Sequence, residues 1–210
     1  MLEIRLVGTV EALLDGQPVE LPGRRVRALL AVLALTPGET VSVESLGTAI
    51  WGEDPPERVR GSLQTYVARM RRVLGGERVA TRRDGYALLV PRDAVDLLAL
   101  WDGAQGARRE ADSADECAAL AAVLARWHDE PFGEAPSEWL DRNERPQWEE
   151  RRLQVFERWV DLSFEAGNHR SCLEELNQEV ERHPLREPLW VRLLGALDRM
   201  GRTAEALEAL

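Results

Sequence analysis

Between Arg58 and Arg83 the sequence holds eight arginines, Arg58, Arg60, Arg69, Arg71, Arg72, Arg78, Arg82 and Arg83, against one acid, Glu77. A guanidinium is a planar fork of donors that stays charged at every ordinary pH. Its chemistry is recognition and not proton transfer. It grips a phosphate oxygen as a cation, or pairs bidentately with the O6 and N7 acceptors of guanine. Gln64 lies among these arginines, and a carboxamide pairs with adenine in the same bidentate way. The whole chain of 210 residues is acidic, with a formal net charge of −10. The segment is therefore a local patch of net +7 on an acidic protein, and such a patch attracts a polyanion whatever the average charge.

Reactive chemistry is hard to find. All 27 basic residues are arginine, so the lysine of a phosphate-binding P-loop is missing, and no GxGxxG occurs. His128, His169 and His183 are isolated and lack metal-ligand spacing. Asp129 and Glu130 are neighbours in one turn and read as solvated acids, because carboxylates that work as an acid and base pair face each other across a substrate. Cys117 and Cys172 have no CxxC spacing and read as free thiols of a reducing compartment. The sequence thus predicts no enzyme, no cofactor and no metal. No apolar run reaches the roughly 18 residues of a membrane span, and the start "MLEIRLVG" lacks the features of a signal peptide. The expectation is a cytoplasmic protein with no membrane partner.

The patch must be held by elements, and the pattern supplies them. Leu2, Ile4 and Leu6 alternate with Glu3 and Arg5, which is the period of a strand. Asp15-Gly16 between two apolar stretches predicts a hairpin. Val26, Leu29, Leu30 and Leu33 fall on one helical face, and Thr36-Pro37-Gly38 ends that helix. Ser42 is a predicted N-cap with Glu44 in the first turn, Leu46 and Ile50 inward, and Gly52 as the stop. A third helix follows from Arg58 to Leu74. Val59, Leu63, Tyr66, Val67, Met70 and Leu74 share one side; Arg58, Gly61, Gln64, Thr65, Ala68, Arg69 and Arg72 share the other. Two strands, Val79 to Arg82 and Tyr86 to Val90, are predicted around a turn at Asp84-Gly85. Strands, three helices and a hairpin is the winged-helix order. A helix face of small and basic residues fits the major groove, and an arginine-rich hairpin beside it can follow the backbone or enter the minor groove.

Residues 91–210 carry net charge −11, against +1 for residues 1–90, and read as helical throughout. The spacing predicts helices from Val95 to Ala111, from Ala114 to Trp127, and from Pro146 to about Ala166, proline being tolerated in a first turn. Trp101, Trp127, Trp159 and Trp190 lie on apolar stripes and are predicted core. "GNHRSCLEEL" from Gly167 and "GRTAEALEAL" from Gly201 match at an offset of 34 residues, the period of tetratricopeptide repeats. Because the pattern is still helical at Leu210, this half is expected to be truncated at its C-terminus.

The stretches "RLVGTVEALLDGQPVELPGRRVRALLAVLAL", "SVESLGTAIWGEDPP", "LQTYVARMRRVLG" and "TRRDGYAL", followed by the acidic helical half, resemble the SARP family, the AfsR-like Streptomyces antibiotic regulatory proteins. The resemblance implies an α+β winged-helix domain of OmpR type over residues 1–92. An all-α, tetratricopeptide-like bacterial transcriptional activation domain would follow over residues 93–210. It implies a transcription activator of an antibiotic or other secondary-metabolite gene cluster. Its partners would be double-stranded promoter DNA with direct repeats, bound as a homodimer, and RNA polymerase recruited through its sigma factor. Carried over by position, Arg58, Gln64, Thr65, Arg69 and Arg72 would read DNA from the recognition helix. Arg82, Arg83 and Tyr86 would act from the wing, and Arg24 and Arg25 would touch phosphate. The competing reading is a tetratricopeptide-like interaction scaffold whose winged helix binds protein; a patch of +7 on a recognition-helix face argues against it.

Overall fold

The computed structural model describes all residues except Glu110, Ala111, Ser171, Thr203 and 205–210. Asp15 and Gly16 both adopt positive φ, 50° and 78°. They form the two-residue turn joining β2 (Glu11–Leu14) to β3 (Gln17–Val19). Strand β1 (Leu2–Arg5) pairs antiparallel with β2, Leu2 opposite Leu14, in the order β1-β2-β3. Leu2, Ile4 and Leu6 are buried, as their alternation requires.

Helix α1 (Arg24–Ala34) buries Val26, Leu29, Leu30 and Leu33. In α2 (Val43–Trp51) the Ser42 hydroxyl accepts the Ser45 N–H at 3.0 Å, satisfying a donor that the first turn leaves orphaned, and Gly52 closes the other end. Helix α3 (Val59–Leu74) turns Leu63, Val67, Met70 and Leu74 into the core, and Tyr66 stacks on Trp51 with ring centroids 5.8 Å apart. The second sheet has the order β4-β6-β5, from β4 (Val41–Ser42), β5 (Val79–Thr81) and β6 (Gly85–Leu88), all antiparallel. Strand β4 is two residues long, too short to show a period, and exists because β6 pairs with it. Both hairpin strands are one residue shorter than the pattern predicts: Arg82 belongs to the loop, and β6 begins at Gly85 and ends at Leu88, ahead of Val90.

The first compact unit comprises Met1–Asp102 and Trp127–Glu150. Its second segment pairs by backbone with the stretch that links β1 to β2. Phe132 N–H donates to the Leu6 carbonyl at 2.8 Å, Gly8 N–H to Glu130 at 3.0 Å, and Val10 N–H to Gly133 at 3.0 Å. Asp96, at the start of α4 (Asp96–Ala107), accepts the N–H groups of Leu6, Val7 and Leu97; burial raises its pKa above the ordinary carboxylate value. Trp127 and Trp148 are 1% and 3% exposed and tilt against each other. Ser137 donates to the Ala49 carbonyl at 2.5 Å. Pro146 does not open its helix. A π-helical turn, Leu140–Glu144, runs straight into α6 (Arg145–Glu165). The wider turn passes its hydrogen bonds one residue further along, which accommodates a proline without an N–H inside a continuous helical stretch.

The second unit comprises Gly103–Arg126 and Arg151–Leu210. It contains α5 (Ser113–Arg126), most of α6, α7 (Leu173–Arg182) and α8 (Glu187–Arg199). Leu153, Phe156 and Val160 of α6 pack with Leu173, Leu176 and Val180 of α7 and Leu189, Leu193 and Leu197 of α8. Trp101, Trp159 and Trp190 are half-buried. The predicted end of the helix at Ala111, and the second copy of the repeat apart from Gly201, Arg202 and Ala204, lie outside the described residues.

Arginine–carboxylate pairs join these helices. Arg158 donates to buried Glu116 at 2.9 and 2.6 Å, and Arg192 donates to Asp161 at 2.8 and 2.7 Å. The Arg158 guanidinium holds the Glu116 carboxyl below its ordinary value of 4.5. A carboxylate with a lowered folded pKa stabilises the fold above its unfolded pKa and loses that contribution as pH falls through the folded value. The melting temperature should therefore fall on acidification below about pH 4.5, and Glu116→Gln should make that fall shallower; identical pH profiles for the two proteins would refute the assignment.

Candidate nucleic-acid interface

The two sides of α3 separate cleanly. Burial of Leu63, Val67, Met70 and Leu74 leaves Gly61, Gln64, Thr65, Ala68, Arg69 and Arg72 exposed, with Arg58 exposed at the N-cap. From Gln64 to Arg72 this face runs for about 12 Å at the helical rise. Thr65 donates its hydroxyl to the Gly61 carbonyl at 3.1 Å, so it offers its methyl group and its remaining lone pairs outward. Small Gly61 and Ala68 let a second surface approach the helix backbone.

Charge partners set this face apart. Among the described residues Arg58, Arg69 and Arg72 have no carboxylate within ion-pair distance, and neither do Arg82 and Arg83 of the wing or Arg24 and Arg25. All are exposed. In the helical unit, by contrast, Arg152, Arg158, Arg186 and Arg192 each hold a carboxylate. Arginines left without anions on one segment provide fixed positive potential for an external one.

The wing is a short loop over residues 82–84, closed by Arg82 N–H donating to the Gly85 carbonyl at 2.9 Å. It also carries Asp84, whose carbonyl accepts the Val43 N–H at 2.9 Å. Tyr86 is a correction. Strand β6 is central in its sheet and every residue from Gly85 to Leu88 is buried. Tyr86 is only 5% exposed, so its ring is a core element and not part of the exposed wing surface. Arg24 and Arg25 open α1.

Two residues of the segment have roles that helical phase did not assign. Arg60 is exposed in the first turn of α3 and, among the described residues, also has no carboxylate partner. Arg71 is half-buried and turned toward the hairpin: its Nε and Nη2 donate to the Val79 carbonyl at 2.9 and 2.7 Å, and Nη2 to Thr81 Oγ1 at 2.7 Å. Position alone could have flagged Arg71, since it follows Met70 at the edge of the apolar stripe. Among the described residues, no group of three or more His, Cys, Asp and Glu could hold a metal ion, and no helix is long and apolar enough to cross a membrane.

Residues 92–210 match the family model described as bacterial transcriptional activator domain, and residues 16–88 match that described as transcriptional regulatory protein, C terminal. The chain is 36% identical to regulatory protein AfsR of Streptomyces griseus, covering 98% of this chain and 21% of the relative. It is 30% identical to regulatory protein DnrI of Streptomyces peucetius, covering 99% and 82%. It thus spans about a fifth of the AfsR proteins it matches and most of DnrI. Mycobacterium tuberculosis EmbR, solved in complex with a low affinity phosphopeptide, shares its fold at a TM-score of 0.78 and 27% identity, covering 99% of this chain and 57% of that one. These relatives are named as regulators and none as an enzyme. With a winged helix ahead of a helical activator domain, and with DnrI matched over 82% of its length, the chain belongs to the SARP family of bacterial transcriptional regulators.

Proposed function

We propose that the chain is a sequence-specific DNA-binding transcription activator, with residues 1–92 as the DNA-binding module and 93–210 as the activating one. Helix α3 enters the major groove. Arg58, Gln64, Arg69 and Arg72 face base edges and flanking phosphates, Thr65 lies against a base edge, and Arg82 and Arg83 of the wing lie along the backbone. Arg24 and Arg25 add phosphate contacts. The target is a promoter with direct repeats, occupied by a homodimer, ahead of genes for an antibiotic or another secondary metabolite. The acidic helical module contacts RNA polymerase with its sigma factor. The observation that carries this reading is the exposed face of α3, whose Arg58, Arg69 and Arg72 have no carboxylate partner among the described residues.

The test is binding of the full chain to a promoter duplex across a salt series. Selective binding should weaken steeply with salt, because each neutralised phosphate releases counterions. Arg69→Ala and Arg72→Ala should each cost about 1–3 kcal/mol, roughly 5- to 150-fold, if the side chain pairs with a base. A residue on phosphate instead lowers affinity for all sequences and reduces the salt slope by about one. No selective binding at low salt, with both variants unchanged, would refute the reading and favour the interaction scaffold.

A further inference from the structure

One arginine of α3 is spent inside the protein. In the sheet order β4-β6-β5, β5 is an edge strand. Its pairing with β6 includes Leu89 N–H to the Arg78 carbonyl at 2.7 Å and Arg82 N–H to the Gly85 carbonyl at 2.9 Å. Antiparallel pairing alternates, so the backbone groups of Val79 and Thr81 point away from β6, toward the open edge. There the Arg71 fork takes the Val79 carbonyl through two nitrogens and reaches the Thr81 hydroxyl, one residue before Arg82. A helix side chain thus stands where a neighbouring strand would be, and it joins α3 directly to the strand that carries the wing.

We propose that Arg71 is a positioning residue that fixes the wing relative to the recognition helix, so that Arg82 and Arg83 meet the backbone in register with the α3 side chains. The proposal rests on the reading of α3 and the wing as the DNA surface. Its own content is mechanical. A hairpin tied only through its sheet can swing about β6; tied also to α3, it presents its arginines at one place. The fork geometry matters, since one planar group satisfies acceptors on two residues, whereas an ammonium is a point donor.

The test uses the full chain and two readouts. In the free protein, amide hydrogen exchange across residues 82–88 should quicken about tenfold in Arg71→Ala, while the thermal midpoint stays close to wild type, the opening being local. On a promoter duplex, the salt slope should fall by close to two, as for the pair Arg82→Ala and Arg83→Ala, because both wing contacts are lost together. Adding that pair to Arg71→Ala should cost little more, and preference for the correct operator should survive, since Gln64, Arg69 and Arg72 remain. Arg71→Lys should restore only part of the slope. Wing exchange unchanged in Arg71→Ala, or losses that add in the triple variant, would overturn the proposal. So would full rescue by lysine, which would mark Arg71 as a simple phosphate contact. If Arg71→Ala does not fold, Thr81→Val removes one acceptor at nearly constant volume. It should shift wing exchange in the same direction, and no shift would count equally against the idea. If wild type binds no DNA, the functional reading fails, and the exchange measurement still decides the positioning role.

Discussion

Gly85→Ala should lower stability by about 3–5 kcal/mol, combining steric overpacking with lost backbone hydrogen bonds. A Cβ at this position would lie 1.9 Å from the Val41 carbonyl oxygen, 2.7 Å from its carbon and 2.9 Å from Ser42 Cα. All three are backbone atoms, so no side chain can swing aside. The sheet must part between β4 and β6, where Ser42 faces Gly85 and Val41 faces Tyr86. Parting it also strains Val43 N–H to the Asp84 carbonyl, the link from the wing to the start of α2. The thermal midpoint should drop by roughly 10 °C for a chain of this size. DNA affinity should fall as well, because the wing leads into β6 and is linked to the start of α2 across this pairing. Thermal unfolding of the purified variant checks it, and a midpoint within a degree of wild type would show that β4 yields freely.

The second large effect lies in the helical unit. Glu179 is 4% exposed. Its two oxygens accept Arg152 at 3.1 and 2.5 Å and lie within 3.2 Å of Arg182 and 3.6 Å of His183. Arg152 comes from α6 and has 14% of its side chain exposed. Glu179→Ala should cost about 3–5 kcal/mol, since it strands a nearly buried guanidinium without its anion. The pair as a whole is worth less than that loss, because both ions were desolvated to form it. The double variant Glu179→Leu with Arg152→Met should therefore recover most of the stability. Urea unfolding followed by far-ultraviolet circular dichroism, which reports the helices, distinguishes the cases. A double variant as unstable as the single one would mean the site needs charge and not merely balance.

Much of this architecture was legible in the residue pattern because the relevant signals are local. Asp15-Gly16 makes its turn through its own backbone preferences. Ser42 caps and Gly52 stops α2 without help from distant chain. The division of α3 into a core side and an open side follows from periodicity alone, and with it the exposure of Gln64, Arg69 and Arg72. What was not legible depends on partners remote in sequence. Strand β4 exists because β6 lies beside it. Tyr86 is buried because both faces of β6 are covered, Gly85 to Leu88 all being buried, which alternation along one strand does not reveal. Helical phase sets Arg71 at the edge of the apolar stripe, apart from Arg69 and Arg72, but what it holds depends on the position of Val79 and Thr81. Pro146 reads as a helix opener because a π-helical turn leaves no residue-type signature ahead of it. The return of residues 127–150 to the first unit carries no periodic sign either, because its bonds to residues 6–10 are made by backbone.

That return has a consequence for how the protein is made. Leu6, Gly8 and Val10 are synthesised more than a hundred residues before residues 130–133, where they find their backbone partners. At a ribosome speed of roughly 5–20 residues per second, those partners arrive about ten seconds later. Until then one side of the nascent sheet is an open edge, the kind of surface on which strands from other chains add. Pairings so distant in sequence also close slowly, because loop entropy is lost before any contact rewards it. A fragment ending after the hairpin would keep every arginine of the proposed DNA surface and leave that edge permanently bare. A piece of this protein that is to keep the first unit intact must therefore include residues 127–150, well beyond Arg83 of the proposed recognition surface.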